Sequence, residues 1–191
     1  MKLKDYTKID IVFQATLNLI RDYGFSGITM AKIAREANIA TGTLYIYFKN
    51  KEELINALYQ NIERKSSMRF LEGYDPNKSF KIRLKKVWVN YLKNRIENHE
   101  ESVFMEQYYH SPYITPSQKK IADEMRTPIH EIINGGKEEG FLNKKIDTEM
   151  LFSAMIGFIR EIAYEHVGGR YILTTERINT AFDLNWQMIK E

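Results

Sequence analysis

Residues Gly24–Leu54 read GFSGITMAKIAREANIATGTLYIYFKNKEEL, and the spacing within that stretch decides the fold. Thr29 precedes Met30, Ile33, Ala34 and Ala37, so a short helix opens on a hydroxyl cap. Asn38, tolerant of positive φ, breaks that helix. A second short helix is expected from Thr41 to about Phe48, with Leu44 as its anchor and Ala34 where the two helices cross closely. The turn between them is short, which makes the later helix project outward, as a groove-reading helix must. Leu44, Tyr45 and Phe48 are expected in the core, leaving Thr41, Gly42, Thr43, Ile46 and Tyr47 facing out.

Upstream, Ile11, Val12, Ala15, Leu19 and Ile20 recur at helical spacing behind a Thr7 cap, and Gly24 supplies the stop. Downstream, Leu54, Ile55, Leu58 and Ile62 mark one face of a helix from Lys51 to about Met68. After a Gly73–Pro76 turn, Ser79 caps a long helix carrying Leu84, Val87, Trp88, Tyr91 and Leu92. A shorter helix over Glu101–Tyr109 stops before Ser111-Pro112. Another opens at Pro116, is expected to kink at Pro128 and runs to about Asn134, with Gly135-Gly136 read as its stop. The last two are expected over Asp147–Val167 and Thr174–Ile189. The fold class is all-α, with a helix-turn-helix domain over residues 1–50 and a helical effector-binding and dimerisation domain over 51–191.

Of the 191 residues, 43% are hydrophobic and 28% charged, a globular balance that excludes a disordered chain. The absence of cysteine excludes disulfide scaffolds, thiol nucleophiles and Cys-based metal centres. Net charge is only +3, but its distribution is uneven. Met1–Lys51 holds eight basic against four acidic residues, and the remainder is near neutral. A basic head on a neutral body points to a polyanion, although four charges are few enough to arise by chance. Met1–Asp10 is charged, and no run of about 18 apolar residues occurs, so a soluble, cytoplasmic protein without membrane association is expected.

The head resembles the DNA-binding domain of the tetracycline-repressor (TetR) family of bacterial transcriptional regulators, carried by "TGTLYIYF…NKEEL" within Thr7–Leu58. The resemblance implies phosphate contacts from Thr29, Thr43, Tyr47 and Lys51, and base or groove contacts from Lys32, Ala40, Thr41, Gly42 and Ile46. Thr29 opens a helix, where unpaired amides favour a phosphate. Lys51 also opens a helix and would be electrostatically misplaced there without an anionic partner. Tyr47 can equally pack against the first helix, and Thr43 can be a solvent hydroxyl. Three positions depart from the family pattern. Ala40 replaces a usual serine and removes a cap, Asn38 replaces a common glycine, and Ile46 replaces a polar or aromatic groove residue. Double-stranded operator DNA, a small-molecule effector and a second copy of the chain are the implied partners.

Four histidines (His99, His110, His130, His166) show no zinc-binding pair, and no catalytic order or phosphate loop is present, so neither enzyme, metal nor cofactor is expected. Leu84, Trp88, Tyr91 and Arg95 fall along one helical stripe, and Phe104, Glu106 and Tyr108 follow on the next helix. Arg95 either pairs with Glu106 or an anionic ligand, or snorkels out of a filled core. The resemblance favours a cavity there, bounded also by Met125, Ile129, Met155, Phe158 and Ile162, for an apolar or aromatic effector. The penultimate helix has two apolar stripes. Leu151, Met155, Phe158 and Ile162 are assigned to the chain's own core. Phe152, Ile156, Ile159 and Ala163, with Ile178, Phe182 and Ile189 of the last helix, are assigned to a symmetric four-helix dimer interface.

Overall fold

The computed structural model describes residues 6–191, with side chains from Lys8 onward. Nine helices are present among them: α1 (Tyr6–Tyr23), α2 (Met30–Glu36), α3 (Thr41–Tyr47), α4 (Lys51–Phe70), α5 (Phe80–Glu97), α6 (His99–Tyr109), α7 (Pro116–Glu138), α8 (Thr148–Val167) and α9 (Thr175–Ile189). The expected all-helical class holds. Thr7 lies inside α1, one residue past its first, and its side chain is outside the described residues.

Local chemistry accounts for the helix ends. Gly24, at φ +65°, closes α1 by donating its N–H to the Ile20 carbonyl at 2.8 Å. Thr29, Asp147 and Thr174 cap α2, α8 and α9, each accepting an N–H three residues on. Ser79 holds the N-cap position of α5, but its side chain makes no cap bond there.

Contacts divide the chain into two compact units. The first runs to Glu63 and includes Glu100–Lys119; the second joins Arg64–His99 with Lys120–Glu191. The division therefore falls beyond the expected residue 50. The physical reason is the first half of α4, whose Leu54, Ile55, Leu58 and Ile62 are buried with Val12, Ile20, Ile33 and Leu44 in the first core. Ile11, expected there, is instead 46% exposed. Thr16 is fully buried and satisfied, its hydroxyl donating to the Val12 carbonyl at 2.7 Å.

The second unit is built on α5, α8 and α9, around Leu84, Trp88, Leu92, Met155, Ile159 and Phe182. Its one deeply buried polar key is Asn185, which accepts the Trp88 indole N–H at 2.8 Å and donates to the Ala154 carbonyl at 3.2 Å. Gly135-Gly136 is not a stop. The helix continues to Glu138, and Gly136 is there because α7 lies against Phe80: a Cβ would fall 2.1 Å from that ring's Cζ. Gly140, at φ +81°, follows the helix end, with the Phe141 N–H on the Gly136 carbonyl at 2.9 Å. Pro128 lies within α7 as read.

Candidate nucleic-acid interface

The turn between α2 and α3 is set by Asn38, the one non-glycine residue at positive φ (+53°) among the described residues. The Ile39 N–H reaches back to the Ala34 carbonyl at 2.9 Å, and Ile33 and Ala34 are fully buried beneath it. Helix α3 then has a single anchored face. Leu44 is 0% exposed and Phe48 6%, with the Phe48 ring 5.9 Å from that of Phe13. On the opposite side Thr41 and Gly42 are exposed, and Ile46 reaches 68%. Ala40 occupies the N-cap with no side-chain bond, as its lost hydroxyl implies. No atom lies within 4 Å of where a Gly42 Cβ would sit, so packing does not require glycine, and its surface is open to a partner.

Tyr45, expected in the core, is 52% exposed, whereas Tyr47 is half-buried against the first core. Helical geometry explains the exchange. Tyr47 and Phe48 stand three and four residues after Leu44 and share its face, while Tyr45 is rotated about 100° away. Tyr45 therefore joins the outward set, and that spacing was the signal available for it. Thr43 is half-buried.

The basic residues are more committed than their positions suggest. Lys51 Nζ donates to the Phe25 carbonyl at 2.8 Å and the Ile28 carbonyl at 3.2 Å, and lies 5.7 Å from the Tyr113 ring centre. Its charge is thus taken up by the α1–α2 turn, which resolves the misplacement expected at a helix N-terminus without a bound anion. Lys32 likewise donates from Nζ to the Gly27 carbonyl at 2.7 Å, over the Tyr23 ring at 5.6 Å, but is exposed. Thr29 Oγ1 accepts the Lys32 N–H at 3.2 Å, which leaves its hydroxyl proton for an acceptor outside. At the start of α4, Asn50 Oδ1 accepts the Glu53 N–H (2.8 Å), and Glu53 reaches back to the Lys49 N–H (2.6 Å).

The eleven residues expected around an effector divide between the two units. Phe104 and Tyr108 are buried in the first core, where Tyr108 stacks on Tyr59 at 4.4 Å and donates to Asn56 Oδ1 at 2.8 Å; Glu106 belongs to the same unit. Burial, with the Glu52 charge adding to it, pushes the Tyr108 hydroxyl up to about 12. Trp88, Met155 and Ile162 are buried in the second core, with Tyr91, Ile129 and Phe158 packed at its edge. Arg95 is half-buried in that unit, and Met125 is 36% exposed.

The stripes of α8 also need correction. Leu151, Met155, Ile159, Ile162 and Ala163 form the buried face, so Ile159 and Ala163 fill the chain's own core and Phe158 is half-buried. Phe182 and Ile189 are each 1% exposed for the same reason, so these four are not free to meet a second chain. Phe152, Ile156 and Ile178 remain half-buried. The exposed apolar residues of α8 and α9 are others: Met150 (61%), Tyr164 (67%), Val167, Leu184 and Met188.

A short helix pinned by Leu44 and Phe48, with its other face open beyond a tight turn, defines a helix-turn-helix DNA-binding protein. Residues 12–58 match the family model described as bacterial regulatory proteins, tetR family, and residues 79–190 match tetracyclin repressor-like, C-terminal domain. The chain belongs to the TetR family of transcriptional regulators. Relatives include an HTH-type transcriptional regulator of Haemophilus influenzae, 23% identical over 94% of each chain. A fatty acid metabolism regulator protein of Bacillus subtilis is 23% identical over 78% of each. Among solved structures, a TetR family transcription regulator from Marinobacter aquaeolei VT8 superposes with a TM-score of 0.91 at 25% identity, covering 100% of both chains. Among the described residues no helix is long and apolar enough to cross a membrane.

Proposed function

We propose that the protein is a cytoplasmic, ligand-responsive repressor that binds a pseudo-palindromic operator as a homodimer and leaves it when a small effector binds. The observation that carries this reading is α3, anchored on one side by Leu44 and Phe48 and open on the other at Thr41, Gly42 and Ile46. Those small and apolar groups suit the floor of a major groove, Ile46 and the Ala40 methyl suiting a thymine methyl. Thr29, Thr43 and Tyr47, with the exposed Tyr45 added, serve the phosphates, and Lys32 stands at the groove's edge. Lys51 acts through the turn it holds.

Dimerisation is assigned to the exposed side of α8 and α9, through Tyr164, Val167, Leu184 and Met188, with Phe152, Ile156 and Ile178 beside them. Exposed apolar side chains on two contacting helices are what a symmetric four-helix contact buries. The effector is assigned to the second unit, against Trp88, Tyr91, Ile129, Met155, Phe158 and Ile162, with Arg95 and Met125 at its margin. Two similar proteins, from Bacillus subtilis and Bacillus halodurans, are named for fatty acid metabolism or degradation, so acyl compounds come first in an effector screen, followed by aromatic ones. Selection from random duplex DNA, with the mass of the selected complex, tests the reading. The expected product is a two-fold symmetric site holding two protomers per symmetric unit; an unenriched pool refutes it.

A further inference from the structure

The ammonium of Lys32 is seated on the α1–α2 turn by two groups, a backbone carbonyl and an aromatic ring. The ring is that of Tyr23, which ends α1 and is 61% exposed, so it fills no core. Gly24, at φ +65°, turns the chain there, and the Gly27 N–H reaches back to the Gly24 carbonyl at 3.3 Å. Gly27 lies so close to the end of α1 that a Cβ on it would stand 2.5 Å from the Tyr23 carbonyl oxygen and 2.6 Å from the Tyr23 Cβ. The Tyr23 ring and the Gly27 carbonyl therefore belong to one closed turn. Lys32, exposed on α2, reaches that turn. Its Nζ donates to the Gly27 carbonyl at 2.7 Å and sits 5.6 Å from the centre of the Tyr23 ring. Lys51 fixes the same turn independently, through the Phe25 and Ile28 carbonyls.

The chemistry of this seat suits a cation that must still meet an anion. A carboxylate would hold the ammonium and cancel its charge, whereas a ring face and a carbonyl hold it and leave the charge intact. An ammonium carries three donors, of which the Gly27 carbonyl takes one, so hydrogens remain for oxygens of a partner. An exposed lysine ordinarily keeps most of its rotamers, and immobilising such a side chain on binding costs about two- to tenfold in affinity. A side chain already seated in the free protein escapes most of that cost. Given the reading that places Lys32 at the groove's edge, we propose that Tyr23 is a positioning residue for DNA binding, its ring holding the Lys32 ammonium against the Gly27 carbonyl in the orientation that DNA meets. Tyr23 acts through Lys32, and the ring, not the phenol hydroxyl, is the part that matters.

Two measurements on the full-length protein test this: NMR of isotope-labelled lysine side chains without DNA, and fluorescence anisotropy on a selected operator. In the NMR arm the Lys32 Cε protons should be shifted upfield by the ring in the unaltered protein and in Tyr23→Phe, and should return to the ordinary lysine position in Tyr23→Leu. In the DNA arm Tyr23→Leu should weaken operator binding about two- to tenfold in each half-site, while Tyr23→Phe stays within about 1.5-fold. In a Lys32→Met background the further change to Tyr23→Leu should fall below about 1.5-fold, because a ring with no ammonium to hold has nothing to position. A merely structural tyrosine would instead weaken both backgrounds alike, which overturns the proposal. No ring shift in the unaltered protein also overturns it, and that result needs no variant to fold. A Tyr23→Leu that binds normally where Lys32→Met binds weakly overturns the positioning role and leaves Lys32 on the DNA. A Lys32→Met that binds normally removes Lys32 from the interface and the proposal with it, while recognition by α3 stands. If the unaltered protein selects no operator, the repressor reading itself fails and Tyr23 has no binding role.

Discussion

Replacing Gly136 by alanine should destabilise the second unit, while the same change at Gly135 should stabilise it. Both glycines lie inside α7, where alanine is ordinarily better by about 0.5–1 kcal/mol. At Gly135 that gain is available, since the new methyl's nearest neighbour is Glu139 Oε1 at 4.0 Å. At Gly136 the Cβ would fall 2.1, 2.6 and 2.8 Å from three carbons of the Phe80 ring. That ring cannot swing aside freely: it is 1% exposed, stacks on Phe141 at 5.3 Å and lies 6.2 Å from Trp186. Overpacking of this kind costs about 1–3 kcal/mol, which outweighs the propensity gain and separates the two variants by roughly 2 kcal/mol. Urea denaturation followed by tryptophan fluorescence reads the unit concerned, because Trp88 and Trp186 both belong to it. Adding Phe80→Leu to Gly136→Ala should recover part of the loss, a coupling of at least about 0.5 kcal/mol. If Gly136→Ala is as stable as Gly135→Ala, the close approach of α7 to Phe80 is wrong.

Leu184→Asp and Tyr164→Asp, at exposed positions, should give folded monomers by light scattering, whereas Ile159→Asp buries a charge and should lose its helical circular dichroism; a folded Ile159→Asp variant would contradict the corrected stripe. Lys51→Met should lower the first unit's stability by about 1–2 kcal/mol through its two carbonyl bonds. The salt slope of DNA binding should change by less than half of the roughly one unit that a lost phosphate contact brings, and a full-unit change would place that ammonium on a phosphate. Burial raises both Tyr108 and Tyr59, so each keeps its proton in the folded state where the unfolded chain gives it up. Stability is therefore intact below pH 10 and lost as pH rises from about 10 toward 12. Tyrosinate absorbance should rise together with unfolding, and Tyr108→Phe should blunt that pH dependence.

Much of this fold was legible because its helix ends are chemically marked. Thr29, Asn38, Asp147 and Thr174 each do in the structure what their side chains suggest. The failures have a common cause, since a one-dimensional reading sees spacing and not what lies opposite. Gly135-Gly136 looks like a stop until Phe80 is seen against it. On α8, Phe158 and Ile159 are adjacent and equally apolar, and only the packing of α5 and α9 chooses Ile159 for the core. Tyr45 and Tyr47 pose the same choice, but there the distance from Leu44 already contained the answer. The aromatic residues of α5 and α6 look continuous along the chain, yet Trp88 and Phe104 enter different cores because the compact-unit boundary passes between the two helices. Lysine positions 32 and 51 were legible as basic; that their ammonium groups hold carbonyls of the α1–α2 turn was not.

If the open face of α3 reads sequence, fluorescence anisotropy on a selected operator and a scrambled duplex, at one fixed salt concentration, will separate the two. Thr41→Val and Ile46→Ala alter exposed groups on α3 and leave its Leu44 and Phe48 anchors in place. Losing one base contact is worth about 1–3 kcal/mol, so each variant should lose roughly five- to 150-fold on the operator in every half-site it occupies. Affinity for the scrambled duplex, which depends on phosphate contacts, should stay within about twofold. Equal losses on both duplexes, or none on either, would contradict a reading role for α3.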